Sequence, residues 1–325
     1  MLKHAFIKGC GSYLPEKIVT NSDLTKIIDT TDEWIVNRTG IRQRHIAAEN
    51  QNTSDLAIKA GENALAHAEL LPTDIDILIL ATTTPDKTFP ATATTVQSKL
   101  GMKKGAAFDI QAVCSGFVFG MSIANSFIKS GQANTVMVVG AETFSRILDW
   151  KDRGTCVLFG DGAGAVILQS TRINNSKIIN SSILSTHLHS DGSTNDLLFV
   201  DGGPSSSQTV GHVRMAGKEV FRHAVTNLTS VVKETLEANN MTIEDIDWLV
   251  PHQANKRILD STAKKLNLSK DKIIITLDRH ANTSAASIPL ALDEAVRDGR
   301  INRGDIVLME AMGGGLTWGS ILIRW

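Results

Sequence analysis

Only three cysteines occur in 325 residues, Cys10, Cys114 and Cys156, at unrelated spacings and without a CxxC pair. They cannot build a disulfide framework and fit a reducing setting, so the expected location is cytoplasmic. Ligand clusters are equally scarce: with no HxxxH, grouped Cys/His or EF-hand pattern, no metal centre is expected. The 33 basic and 34 acidic residues leave a formal net charge of −1. No global field draws this chain to nucleic acid, and an acidic partner has to be met by a local basic patch. The opening MLKHAFIKGCGSYLPE lacks the apolar core of a signal peptide. The uncharged stretch 110–128 contains Gln111, Ser115, Ser122, Asn125 and Ser126, so it reads as a buried helix and not as a membrane span. No Pro/Ser-rich linker separates independent domains; residues 174–185 and 201–210 read as surface loops between two halves.

What is present is an ordinary globular composition, 42% hydrophobic and 21% charged, long enough for two domains or one duplicated unit. Apolar runs at 75–81, 135–140, 163–169, 246–250 and 305–310 alternate with helical periodicity, which argues for an α/β fold with largely buried sheets. Gly160-Asp-Gly-Ala-Gly164 lacks the GxGxxG spacing and runs into a strand, so it reads as close backbone packing and not as a dinucleotide loop.

A faint internal repeat is visible. Asp74-Ile-Asp precedes one helix–strand unit and Asp245-Ile-Asp precedes another. Placing Gly131 on Gly299 gives an offset of 168 residues, which sets Asn282 over Cys114. The segment 106–113 reads as a strand and turn. Beyond it Phe117, Val118, Met121, Ala124, Phe127 and Ile128 mark a buried helix. Cys114 therefore falls in the first turn of a helix, whose end contributes ~0.3–1 kcal/mol toward an anion, or ~2 when partly buried. That would bring a thiol from ~8.5 to near ~7 and make a nucleophile; the other reading is a small buried hydrophobe. Asn282 is either a helix cap or a donor facing the same pocket. His252, in Pro251-His-Gln-Ala-Asn255, follows a buried strand, where α/β folds build sites. Cys and His together suit nucleophilic chemistry, and Gly313-Gly-Gly315 offers bare N–H groups for an oxyanion site with Cys114.

Several segments in this order resemble the β-ketoacyl-acyl carrier protein synthase III family. They are Thr31-Asp-Glu-Trp-Ile-Val-Asn-Arg-Thr-Gly-Ile41, Cys114-Ser-Gly-Phe117, Phe159-Gly-Asp-Gly-Ala-Gly164, Pro251-His-Gln-Ala-Asn255, His280-Ala-Asn-Thr-Ser-Ala285 and Gly313-Gly-Gly-Leu-Thr-Trp-Gly319. The resemblance covers essentially the whole chain. It implies a thiolase-like fold, a duplicated five-layer αβαβα arrangement with halves at 1–172 and 173–325, usually as a homodimer. It implies a priming condensation of type II fatty acid synthesis, with no cofactor, because the CoA thioesters are substrates. An acyl-CoA, expected to be acetyl-CoA, would acylate Cys114, and malonyl-acyl carrier protein would lose CO2 at His252 and Asn282. Cys114 and Gly314 would hold the oxyanion.

By the same resemblance, Trp34 and Arg153 would sandwich the CoA adenine, with Arg38, Asn255 and Thr30 on the phosphate and pantetheine parts. Phe89, Met312 and Phe144 would shape the acyl pocket, Phe89 by reaching across a dimer. Acyl carrier protein would dock on Gln253, Lys256, Arg257, Lys264, Lys265 and Arg222, near Lys218. No nucleic acid or membrane partner is implied. Ala281, where Gly is common, and Met312, often Phe, are departures that bear on primer choice. Thiolases and chalcone-type synthases share the Cys-His-Asn set. Papain-like peptidases do so in another cysteine context, and a non-catalytic CoA binder would not need all three residues.

Overall fold

The computed structural model describes residues 3–172 and 181–325. Five strands build the first sheet: β1 (Lys3–Tyr13), β2 (Ile77–Ala81), β3 (Ala106–Ile110), β4 (Thr135–Glu142) and β5 (Gly162–Arg172), in the order β1-β5-β4-β2-β3. The second has β6 (Ser182–Ser190), β7 (Trp248–Pro251), β8 (Ile306–Gly313) and β9 (Thr317–Arg324), in the order β7-β8-β9-β6. The central pairings match. β2 runs parallel to β4 and β4 antiparallel to β5, as β7 does to β8 and β8 to β9.

Helices fill the layers around these sheets. In chain order they are α1 (Asp32–Thr39), α2 (Thr53–Ala68), α3 (Thr92–Leu100), α4 (Gly116–Lys129), α5 (Gly217–Ala238), α6 (Lys256–Leu266) and α7 (Ser287–Arg297). One apolar core joins α4 and α7 to the facing sides of both sheets. A second covers the far side of the first sheet with α2 and α3, and a third covers the far side of the second with α5 and α6. That gives five layers, helix–sheet–helix–sheet–helix. The largely apolar strands β2 and β4 follow from burial on both faces, since every residue of each is buried. In α4, Phe117, Val118, Met121, Ala124 and Ile128 are fully buried, and Phe117→Ala would cost ~3–5 kcal/mol.

The glycine run at 160–164 packs as its composition implied: a methyl on Gly164 would lie 2.7 Å from Pro289 Cβ, where α7 crosses β5. Residues 201–210 form the expected surface loop. Of the other expected loop, 174–180 lie outside the described residues, and Ser182 already opens β6.

The internal repeat is real, but its register differs from the glycine alignment. Strand pairing equates Ile77 with Trp248 and Val136 with Val307, an offset of 171. The turn residues Val113 and Ser284, with φ of 49° and 50°, obey the same offset. The glycine match fails because α4 has 14 residues and α7 has 11, and the loop after α7 is correspondingly longer. Ala285, not Asn282, stands where Cys114 stands.

Candidate active site

Cys114 lies in a 3₁₀ turn, Val113–Ser115, immediately before α4 rather than within its first turn. The end of β8 crosses so close that a methyl on Gly313 would sit 2.6 Å from the Cys114 amide nitrogen. Only a bare backbone fits there. Cys114 is 3% exposed, and burial pushes its thiol pKa up to about 12, opposed by Ser284 and helped by Glu142. This overturns the expected drop toward 7. Desolvation on that scale costs roughly 4 kcal/mol, more than the ~2 kcal/mol a helix end supplies.

His252 follows β7 and is buried, its Nδ1 2.6 Å from Ser287 Oγ at the start of α7. Burial alone pulls the imidazole pKa down to about 3, so it is neutral across the physiological range. Asn282 is pinned at both ends. Its backbone bridges Leu158 and Gly160, and its Oδ1 accepts the Ser284 N–H at 2.9 Å. The cap reading fails, because the turn and the helix that follow start from Thr283 and Ala286; holding Oδ1 leaves the Asn282 NH2 group for a ligand.

All three line one cavity of about 710 Å³, a volume usual for a small-molecule site. Its lining also includes Trp34, Arg38, Arg153, Asn255, Arg257 and Met312, which places those expected residues together. Phe159, Leu198, Met215 and Phe221 add apolar walls that sequence reasoning did not single out. The Arg153 guanidinium already stands 4.6 Å over Trp34, and Arg38 is 5.5 Å from the same ring. A base between Trp34 and Arg153 needs ~3.5 Å on each face, so Arg153 has to swing outward first. Asn255 caps α6 through Arg257 N–H and also reaches Arg38 O.

Other expected residues are elsewhere. Gln253 cannot dock a partner: it is fully buried, and its amide bonds Pro251 O, Ile274 O, Thr276 N and Leu277 N. Phe144 stacks behind Phe159 at 4.3 Å and faces a neighbouring cavity of about 1180 Å³, which Gly314 also lines. Thr30 lines neither, and Phe89 is 83% exposed. On the surface, Lys256 pairs with Asp260 and Arg222 with Glu219, while Lys264 and Lys265 are exposed in the last turn of α6. Arg257 lies 5.6 Å over Phe221 at the cavity rim.

Among the described residues one set of ligand-type side chains converges away from this site, Cys10, His67 and Asp293. Within it His67 Nδ1 lies 3.1 Å from Cys10 N and 3.0 Å from Cys10 O, and Asp293 accepts from Ser12 Oγ and Arg297. Also among the described residues, no helix is long and apolar enough to cross a membrane.

Comparison with known proteins resolves the family. The model for the 3-oxoacyl-[acyl-carrier-protein] synthase III C-terminal region matches residues 236–325, that for 3-oxoacyl-[acyl-carrier-protein] synthase III matches 108–203, and that for the thiolase N-terminal domain matches 35–153. The β-ketoacyl-[acyl-carrier-protein] synthase III of Rhodospirillum centenum is 64% identical over 319 residues, covering 98% of each chain. The chain belongs to the β-ketoacyl-acyl carrier protein synthase III family. The enzyme of that name from Paramagnetospirillum magneticum is also 64% identical, over the whole of both chains. The crystal structure of 3-oxoacyl-[acyl-carrier-protein] synthase III from Aquifex aeolicus superposes with a TM-score of 0.93 at 48% identity, covering 99% of this chain and 100% of that one. The fold is therefore the thiolase fold, and the family makes this protein a condensing acyltransferase.

Proposed function

We propose that this synthase III-family chain primes fatty acid synthesis by joining an acyl-CoA, most simply acetyl-CoA, to malonyl-acyl carrier protein. One observation carries the reading: a single cavity connects the buried Cys114, His252 and Asn282 to a partly exposed rim of Trp34, Arg38, Arg153 and Arg257. That is the layout a long thioester with a charged, aromatic-ended handle requires. Cys114 attacks the acyl thioester, CoA leaves, and an acyl-enzyme remains. The Cys114 amide receives the oxyanion; Gly314, which lines the neighbouring cavity, is the second donor that the family resemblance implies.

Decarboxylation then needs hydrogen-bond donors and no base, since the malonyl unit loses CO2 and not a proton. A neutral His252 suits this. Gln253 N–H donates to Ser287 Oγ, whose own hydrogen is available for His252 Nδ1; the ring proton then sits on Nε2, and Asn282 lines the same cavity. The two donors hold the enolate oxygen while its carbon attacks acyl-Cys114. The reaction as written uses no metal or redox cofactor. Arg257, Lys264 and Lys265 supply a basic face for the acidic carrier protein, acting chiefly on its association rate. We also assign a cytoplasmic homodimer, in which the exposed Phe89 of each chain covers the partner's acyl pocket.

The test is to supply acetyl-CoA and malonyl-acyl carrier protein and to measure acetoacetyl-carrier product and CO2. A panel from acetyl to branched and medium-chain CoA thioesters defines the primer. Product from any short primer supports condensation; none from the whole panel overturns it.

A further inference from the structure

Ser284 Oγ is buried and has no hydrogen-bond partner. It opens the turn Ser284–Ala286, which abuts the Cys114 turn: a methyl on Gly116 would lie 3.5 Å from Ala285 Cβ. The Ser284 backbone is committed, with its N–H on Asn282 Oδ1 and a left-handed φ of 50° that non-glycine residues rarely adopt. Its hydroxyl is therefore held at a fixed place near both the Cys114 thiol and the Glu142 carboxyl, because this turn packs on the Cys114 turn and on β4, where a methyl on Gly140 would collide with Ala285 O. Neither contact is a well-formed hydrogen bond at rest, as is common before substrate binds.

Glu142 is held on its other side. Thr83 N–H donates at 3.1 Å, Thr83 Oγ1 at 2.9 Å, Thr84 Oγ1 at 2.8 Å and Thr82 Oγ1 at 3.3 Å. These hydroxyls and the Thr83 amide bond the carboxyl, and Cys114 is a titratable neighbour of it. We infer that Ser284 and Glu142 form a relay that takes the Cys114 proton as the thiol attacks the acyl thioester. This rests on Cys114 being the nucleophile. The S–H bond breaks, its proton passes to Ser284 Oγ, and the Ser284 proton passes to the Glu142 carboxylate. Sulfur bonds the acyl carbon, the bond to the departing thiolate breaks, and the proton returns through Ser284 to that thiolate. In this relay Ser284 exchanges the proton with the thiol, and Glu142 is a positioning residue that works through it. Burial supports the assignment, holding Glu142 near 7 and His252 near 3, which makes Glu142 much the stronger base.

Alkylation of Cys114 by iodoacetamide tests this without any primer, read by peptide mass from pH 5 to 10 alongside melting temperature. The wild-type rate should show an inflection near pH 7, because Glu142 accepts a proton only when ionised. Glu142→Gln and Ser284→Ala should lose the inflection and react roughly tenfold or more slowly at pH 7.5. A purely electrostatic Glu142 predicts the opposite sign, since removing its charge eases thiolate formation; faster alkylation in Glu142→Gln, or an unchanged rate in Ser284→Ala, overturns the relay. If Glu142→Gln melts early, Glu142→Asp decides: a restored inflection supports the relay, and its absence in folded protein overturns it. Failure of the condensing reading appears separately, as absent 3-oxoacyl product with alkylation behaving as described.

Discussion

Val113 and Ser284 hold almost the same left-handed φ, and each opens a three-residue turn leading into one of the two central helices. In the first half the next residue is Cys114, a thiol lining the cavity. In the second it is Ala285, which does not line it. The second half instead presents Asn282, three residues upstream of that position, and His252 from the end of β7. Duplication thus supplied the frame, two buried turns meeting between two sheets, and the halves diverged in what they hang on it: one bears a nucleophile, the other neutral donors.

Removing the unique member of this pair should have the largest effect. Cys114→Ala should abolish acyl transfer, a loss on the order of 10⁴-fold or more in initial rate. Residual transfer close to wild type would dissolve the contrast between the turns. Next comes Asn282→Asp, which keeps the acceptor for Ser284 N–H but replaces a donor with a charge that repels an enolate. Decarboxylation, followed as CO2 release, should fall about 10²–10³-fold while acylation changes far less. Equal losses in both half-reactions would remove the division of labour.

Two buried glutamates sharpen the same comparison. Glu142 is bonded by threonines, whereas Glu310 on β8 has an Oε2 without a partner, and burial raises the latter carboxyl to about 8. A carboxyl raised in the folded state is stable while protonated. Its contribution is complete below the ordinary ~4.3 and is lost as pH rises through about 8. Glu310→Gln should therefore melt a few degrees above wild type at pH 8 and level with it at pH 4; a difference independent of pH would show that ionisation is not the cause. The smallest effect belongs to the exposed rim. Arg257→Ala should raise KM for malonyl-acyl carrier protein severalfold at low salt, with the gap closing at high salt and KM for acyl-CoA nearly unchanged.

Much of this site was legible because chemistry and element boundaries coincide in the chain. Cys114, His252 and Asn282 each fall at an element boundary, and Trp34 sits among charged residues that keep it near the surface. The repeat could be seen but not registered. Three residues lost from α7 and regained in the following loop preserve both flanking strands while moving the conspicuous glycine. Gln253 was misread because a residue two past a buried strand can face either way, and only the turn at Thr276 and Leu277 shows that its amide is consumed inside. The Cys114 thiol was misread because local sequence reveals a helix end but not the depth of burial, and depth outweighs the dipole. Ser284 and Glu142 carried one overlooked signal, an acid directly after the apolar run 136–141.

The most direct test is intact-mass and peptide-mass analysis after brief exposure to acetyl-CoA. A single acetyl adduct on the peptide containing Cys114, absent from Cys114→Ala, is the predicted result. An adduct that persists in Cys114→Ala, or that maps to Cys10 or Cys156, would contradict the account.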